Sequence, residues 1–440
     1  MAYPTITYNQ STGSNTAPSD AVATSASTST TVSGTSGTNT ITFSSAVDLT
    51  GVADDDSDYI WVNNAGSDRS IYQITAFTGG VSTCTAVTVY ENIDGTGVSA
   101  VDWHVNGTRN DIVADNDGYD WMPGWTISLN GDQTRSGSNF RVGNNHGSSG
   151  DAIVTAMPPV TIKPSSSGRV SIVNNGTAGE AFRLSAHLHV KMERVDFSSP
   201  SYTNGATPFN LVAGNTDMFD CSIDVPSTSF SPLVNSEDSV SLVKTYMRGG
   251  GALIVDGDGS DIAMMNCWID CQGTYGTTAA VKIQANDSAL LINTAITESA
   301  GSGLLMDRGG NVGRHVDQMV RNCTIADSAG DAITVSGTPN STTSPTWNVF
   351  ILNNLLASSG GYGINSSGQG IEYCGYIGFN GFYSNTSGNY SETALAHSDD
   401  VTCSASPFTD AANDDYTIND TAGGGADLKA AGLNAMPDRP

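Results

Sequence analysis

Asp224, Arg248 and Asp270 follow one another at intervals of about 24 and 22 residues, each placed just after an apolar position in a short alternating run. If those runs stack as successive strands, the three side chains stand in line and the carboxylates lie about 10 Å apart, twice the ~4.8 Å strand spacing. That is just beyond the roughly 6.5–9.5 Å of the carboxyl pairs that serve inverting glycoside hydrolysis, one as acid and one as base. Tyr246 and Trp268, two residues upstream of Arg248 and Asp270, would offer rings to stack on sugars. The plainer alternative is an Asp–Arg–Asp ladder on a solvated sheet, with the central cation offsetting its neighbours. Nothing in the sequence marks either carboxylate as holding a proton near neutral pH, as a general acid must. No catalytic residue is therefore assigned.

Other clusters are weaker. DGDGSD carries Asp256, Asp258 and Asp261 and has the oxygen-rich look of a cation loop. An EF-hand, however, needs Gly at its sixth position and Glu at its twelfth, where Asp261 and Cys267 stand. The stretch reads as a solvated turn. DDDSD at 54–58 reads as an exposed loop. His187 and His189 share a strand face with no third ligand at hand, and Cys267 and Cys271 have no second pair. Neither G-x-S-x-G nor a phosphate-cradling glycine loop occurs. No metal and no cofactor is assigned.

The elements that must position these residues are strands. Apolar residues that end short alternating runs recur at Phe197, Ile223, Met247, Ile269, Ile296, Ile325, Leu356 and Phe382, about 26 residues apart on average. A period between 20 and 50 marks a stacked architecture, and period-2 alternation with Gly, Ser, Asn and Asp turns makes the unit β rather than α. Each unit holds two or three strands, roughly one circuit of a coil. Two residues before each marker stand Val195, Cys221, Thr245, Cys267, Thr294, Cys323, Asn354 and Asn380, read as one line of small buried side chains. NCTIADSAGDAITV (322–335) and NNLLASSGGYGINS (353–366) are two such rungs, in which Asp327 and Asp331 face Ser358 and Tyr362 and read as turn residues. Ahead of the coil, TNTITFSS, SDYIWVNN, RSIYQITAF, TAVTVYEN and AVDWHVNG read as strands of a small antiparallel domain.

The expected fold class is all-β: a coil of stacked parallel strands, a parallel β-helix, preceded by a small antiparallel β domain and an N-terminal arm. The expected layout is a low-complexity arm at 1–29, a small β anchoring domain at 30–108, the coil at 109–400 and a closing segment at 401–440. Acidic residues outnumber basic ones 44 to 17, for a net charge of −27. That field repels phosphate and disfavours nucleic acid and anionic membranes as partners. Cys84, Cys221, Cys267, Cys271, Cys323, Cys374 and Cys403 are odd in number and lack framework spacing. Free thiols formed in a reducing cytoplasm are expected. MAYPTITYNQSTGSN has neither a basic nor an apolar leader region, and no run of about 18 apolar residues occurs, so neither a secretion signal nor a membrane span is expected.

PPVTIKPSSSGRVSIVNNGTAGEAFRLSAHLHVKMERVDFSS (158–199) and the rungs after it resemble right-handed parallel β-helices of the pectate-lyase-like superfamily. The tail SPFTDAANDDYTINDTAGGGADLKAAGL (406–433) is similar to segments that close such coils in bacteria and phages. VDLTGVADDDSDYIWVNNAG with DWHVNGTR resembles the β module that precedes them in phage-associated proteins. The resemblance implies a structural virion protein of a bacteriophage, a capsid-associated fibre, decoration or tail component assembled in the host cytoplasm. Its N-terminal region would bind other virion proteins, and it would form a trimeric or other symmetric homo-oligomer. The Gly-His-Gly and Arg-Ile-Lys elements of polygalacturonases are missing, which favours a structural role over an enzymatic one. The alternatives are a polysaccharide-degrading tailspike and a non-enzymatic carbohydrate-binding adhesin, both facing cell-surface polysaccharide.

Overall fold

A computed structural model describes residues 3–9, 18–53, 57–63, 71–90, 93, 98–106, 124–135, 140–142, 158–175, 182–184, 189–201, 209–211, 215–225, 234–236, 239–249, 253–255, 261–272, 279–283, 288–307, 316–336, 347–367 and 375–432. The chain divides into two compact units, Met1–Asn174 with Phe182–Asp196, and Asn175–Ala181 with Phe197–Pro440.

In the first unit an antiparallel sheet of eight strands contains all five runs expected from the sequence, among them Thr40–Val47, Tyr59–Val62, Ile71–Thr78, Cys84–Val89 and Trp103–Val105. Trp103 is its central anchor. It is fully buried, meets Phe43 edge-on at 4.7 Å, and its indole N–H donates to the carbonyl of Thr30 at 3.1 Å. Within the arm, Thr5–Tyr8 is a strand that pairs in parallel with Thr126–Leu129, which in turn pairs with Val160–Pro164. Its alternation buries Ile6 and Tyr8 completely, which is why so short a run orders.

The second unit is a parallel β-solenoid of three sheets. The first contains Thr216–Phe219, Val240–Val243, Asp261–Met265, Ser288–Ile292, Val316–Arg321, Trp347–Leu352 and Gly375–Gly378. The second contains Ser222–Val225, Tyr246–Gly249, Trp268–Asp270, Ala295–Thr297, Thr324–Ala326, Leu355–Ala357 and Gly381–Tyr383. The third runs from Phe209–Leu211 to Gly388–Tyr390. The markers Ile223, Met247, Ile269, Ile296, Ile325, Leu356 and Phe382 are paired rung to rung and buried, so they fill one core line. Burying each contributes roughly 1.5–3 kcal/mol.

The line of small residues is buried as expected, and hydrogen bonds explain its composition. Where the chain turns from the first sheet into the second, a side chain must satisfy backbone groups left over by the bend. The Cys267 thiol donates to the carbonyl of Leu242 at 3.2 Å, and the Thr245 hydroxyl donates to that of Val243 at 3.3 Å. Asn354 donates to Val320 and, through Nδ2, to Asn380 Oδ1 at 3.1 Å, while Asn380 Oδ1 also accepts the Asn354 backbone N–H. All six described cysteines are buried free thiols.

Left-handed backbone recurs at both corners of the second sheet. Asp220, Lys244, Asn266, Asn293, Asn322 and Asn353 supply it at the entry, and Gln272, Glu298, Asp327, Ser358 and Ser384 at the exit. The two phrases at 322–335 and 353–366 are indeed adjacent rungs, with Thr324–Ala326 paired to Leu355–Ala357. Asp331 is the turn residue expected, its Oδ1 accepting the Tyr362 N–H at 2.7 Å and its Oδ2 the Asn365 amide at 2.8 Å.

Candidate carboxylate site on the second sheet

The outward ladder is in register: Asp224 pairs with Arg248, and Arg248 with Asp270. Gly249 follows Arg248 with φ of 143°, and a Cβ there would run into the carbonyl of Val225. Asp270 is only 5% exposed and is held on several sides. The Tyr246 hydroxyl donates to its Oδ2 at 3.2 Å, the Gln272 N–H donates to its Oδ1 at 3.1 Å, and Arg248 Nε lies 3.8 Å from Oδ2. With its amide oxygen turned toward the guanidinium, Gln272 also accepts from Arg248 Nε at 2.5 Å and Nη2 at 2.6 Å.

Trp268 does not face solvent, so the expectation that it stacks on a sugar is corrected. Val401–Thr402 extends the second sheet beside Gly381–Phe382, and the chain then returns along the outer face of that sheet. The hairpin Phe408–Asp410/Asp415–Ile418 and the short helix Gly425–Ala430 pack Phe408, Tyr416, Ile418 and Leu428 onto Trp268, Ala295, Ala326, Leu355 and Ala357. Trp268 meets Tyr416 edge-on at 6.2 Å and donates its indole N–H to Thr297 Oγ1 at 3.1 Å. Tyr246 remains half-exposed at the edge, with its ring 6.2 Å from that of Trp268.

The hairpin also brings chemistry to the exit corner. Its tight turn ends at Asp414, whose φ is 61°, and Tyr416 donates its hydroxyl to Asp327 Oδ2 at 2.7 Å. Glu298, left-handed with φ of 57°, follows Thr297, which pairs with Asp270, and its N–H donates to the carbonyl of Ala326. Its carboxyl is pushed up to about 7, first by burial, then by the Asp270 carboxylate, by the charge of and hydrogen bond to Asp414, and last by Asp327. A carboxyl acid that keeps a proton near neutral pH beside other carboxylates is equipped to give that proton away. Beneath it the Cys271 thiol is pushed up to about 12 by burial and then by the charges of Asp270 and Glu298, so it is inert. Burial, followed by the bond to Asp327, likewise keeps the Tyr416 phenol protonated.

The remaining candidates separate cleanly. Asp256, Asp258, Asp54 and His187 lie outside the described residues. Asp261 is exposed on the first sheet. Cys267 and Cys271 are buried in the solenoid interior, with Cys267 pushed up to about 11 by burial. Among the described residues no three His, Cys, Asp or Glu side chains are grouped as metal ligands.

Sequence reasoning missed Glu298 and Asp414; Asp327 is the turn residue expected, and it also accepts the Tyr416 hydroxyl. Lining up the left-handed exit residues would have placed Glu298 and Asp327 in one column. Asp414 carried no such signal, because a long-range hairpin delivers it.

Fold and site together define a parallel β-solenoid with a proton-holding carboxylate cluster on an outer sheet. The catalytic domain of a GH87 alpha-1,3-glucanase in complex with nigerose is 11% identical, with a TM-score of 0.30 over 84% of this chain and 91% of that one. The catalytic unit of a thermostable GH87 alpha-1,3-glucanase from Streptomyces thermodiastaticus strain HF3-3 is 14% identical, with a TM-score of 0.23 over 82% of this chain and 88% of that one. Likeness at this level carries nothing about activity. No protein-family model matches the chain, and no curated protein matches it.

Proposed function

We propose that the chain hydrolyses glycosidic bonds of a polysaccharide at the exit corner of the second sheet. The observation that carries this reading is the placing of Glu298 next to Asp327 on adjacent rungs, with the hairpin that bears Asp414 and Tyr416 anchored on Asp327, a setting that pushes the Glu298 carboxyl up to about 7. Glu298 gives its proton to the glycosidic oxygen and the bond to the anomeric carbon breaks. Asp414 and Asp270 stabilise the positive charge that develops on the sugar. Water adds to that carbon and returns a proton to Glu298. Tyr246 and Arg248 border the site, with an edge ring and donors for hydroxyl groups. A uronic-acid polymer would bring anions to a cluster of carboxylates, so the substrate class is a neutral polysaccharide.

The test is release of reducing ends from neutral and uronic polysaccharides. Glu298→Gln keeps the shape and a donor but removes the proton-transfer group, and should lower the rate by about 10²–10⁴-fold with an unchanged circular dichroism spectrum. Wild-type activity should fall as pH rises past about 7, where Glu298 ionises. Unchanged hydrolysis in the variant would sink the assignment of Glu298.

A second reading has its own support in the unbroken rung-to-rung register of the solenoid and the separate antiparallel domain. It is a rigid attachment element or spacer of a phage particle, binding cell-surface polysaccharide without cleaving it. Binding with no release from any polymer would favour it, and immunolabelling of intact particles would decide the virion placement.

A further inference from the structure

The outward face of the first sheet is built unlike a solvated surface. Its middle column runs Ala263, Leu290, Met319, Phe350, Tyr376, paired rung to rung. The next column contains Val243, Met265, Ile292 and Leu352, with Arg321 between the last two. These side chains are half-buried or exposed, Met265 at 39% and Tyr376 at 41%. A polar column of Asp261, Ser288, Asp317 and Asn348 borders one side, and the asparagine corner borders the other. An apolar centre between polar margins is the anatomy of an interface.

We infer that this face docks a second copy of the same chain, with the two solenoids side by side and parallel about a twofold axis along the coil. Two observations select that occupant. The middle column repeats every rung, about 4.8 Å, and the same column of a second copy interlocks with it along the strip. On the strand Val316–Arg321, Asp317 and Arg321 flank Met319 at equal spacing on the outward face, and both are exposed. Among the described residues the Arg321 guanidinium makes no ion pair. A twofold axis parallel to the coil exchanges the two flanks, so Arg321 of each copy meets Asp317 of the other while Met319 meets Met319. An antiparallel arrangement would instead set the same flank of each copy against its equivalent. The face measures roughly 30 Å by 20 Å, which approaches the ~800 Å² that each partner buries in a standard interface.

Sedimentation velocity of the full chain tests this directly. At about 50 μM the wild type should be a dimer, and Met319→Glu should be a monomer with an unchanged thermal melt. Asp317→Arg and Arg321→Asp should each weaken the dimer by about tenfold or more, and the double exchange should restore it. Restoration distinguishes a paired contact from simple loss of folding. A monomeric wild type, a dimer indifferent to Met319→Glu, or a double exchange no better than its parents would overturn the inference. So would an apolar face found to bind polysaccharide in a wild type that stays monomeric.

Discussion

The chain enters the second sheet through Asn266, Asn293, Asn322 and Asn353 and leaves it through Gln272, Glu298, Asp327 and Ser358, all with φ between 52° and 57°. The backbone bend is the same at both corners, and Asn266, Asn293, Asn322 and Asn353 at the entry, like Glu298, Asp327 and Ser358 at the exit, hold equivalent positions on successive rungs. An amide suits that stacking because it both donates and accepts. Asn293 donates to Asn266 Oδ1 at 2.6 Å, and Asn353 donates to Asn322 Oδ1 at 2.8 Å. Ionised carboxylates only accept, so Glu298 stacked on Asp327 and facing Asp414 gains by keeping a proton. One geometry thus yields a structural spine at the entry and an acid at the exit.

Removing the wall that the exit corner leans on should have the largest effect. Trp268→Ala opens a cavity under Tyr416 and should cost about 3–5 kcal/mol. Amides of residues 408–418 should then exchange faster, whereas unchanged protection would mean the hairpin does not depend on that contact. At the entry, Asn380→Ala strips the acceptor used by both the N–H and the amide of the buried Asn354. It should cost about 2–3 kcal/mol in urea unfolding while leaving the Glu298 titration in place, and a shifted titration would show that the corners are coupled.

A smaller change separates backbone from side chain. Asn293→Ala puts a residue unsuited to left-handed backbone into the spine and should cost about 1–2 kcal/mol. Asn293→Gly relieves the backbone and should cost less, because only the amide contact to Asn266 is lost. Equal losses in the two variants would assign the whole effect to the side chain.

The smallest effect concerns the acid. Because the folded-state pKa of Glu298 is raised, ionising it destabilises the fold, with the penalty absent below about pH 4.5 and complete above about pH 7. Glu298→Gln should therefore raise the melting temperature at pH 8 and leave it unchanged at pH 4. The gain should be modest, because solvent reaches the carboxyl.

Much of this was legible in the sequence. The apolar markers gave the rung register, because buried like residues must recur once per circuit, and the Asp224–Arg248–Asp270 alignment followed from it. The cysteine, threonine and asparagine column was legible as small and buried, though not as the hydrogen-bonding spine of a corner. The acid site was illegible for a different reason. Asp327 and Tyr416 meet across 89 residues, and the same return of the chain buries Trp268. No local period encodes a segment that lies across the sheet rather than in it, so suspicion fell on Asp270 rather than on Glu298 one rung further on.

The exit corner differs from the entry corner above all in the proton that its carboxylates favour at Glu298. Carbon-13 NMR titration of glutamate-labelled protein, with Glu298→Gln used to assign the resonance, reads that proton directly. A midpoint of about 7 is predicted, and a midpoint near the ordinary glutamate value of about 4.3 would contradict it.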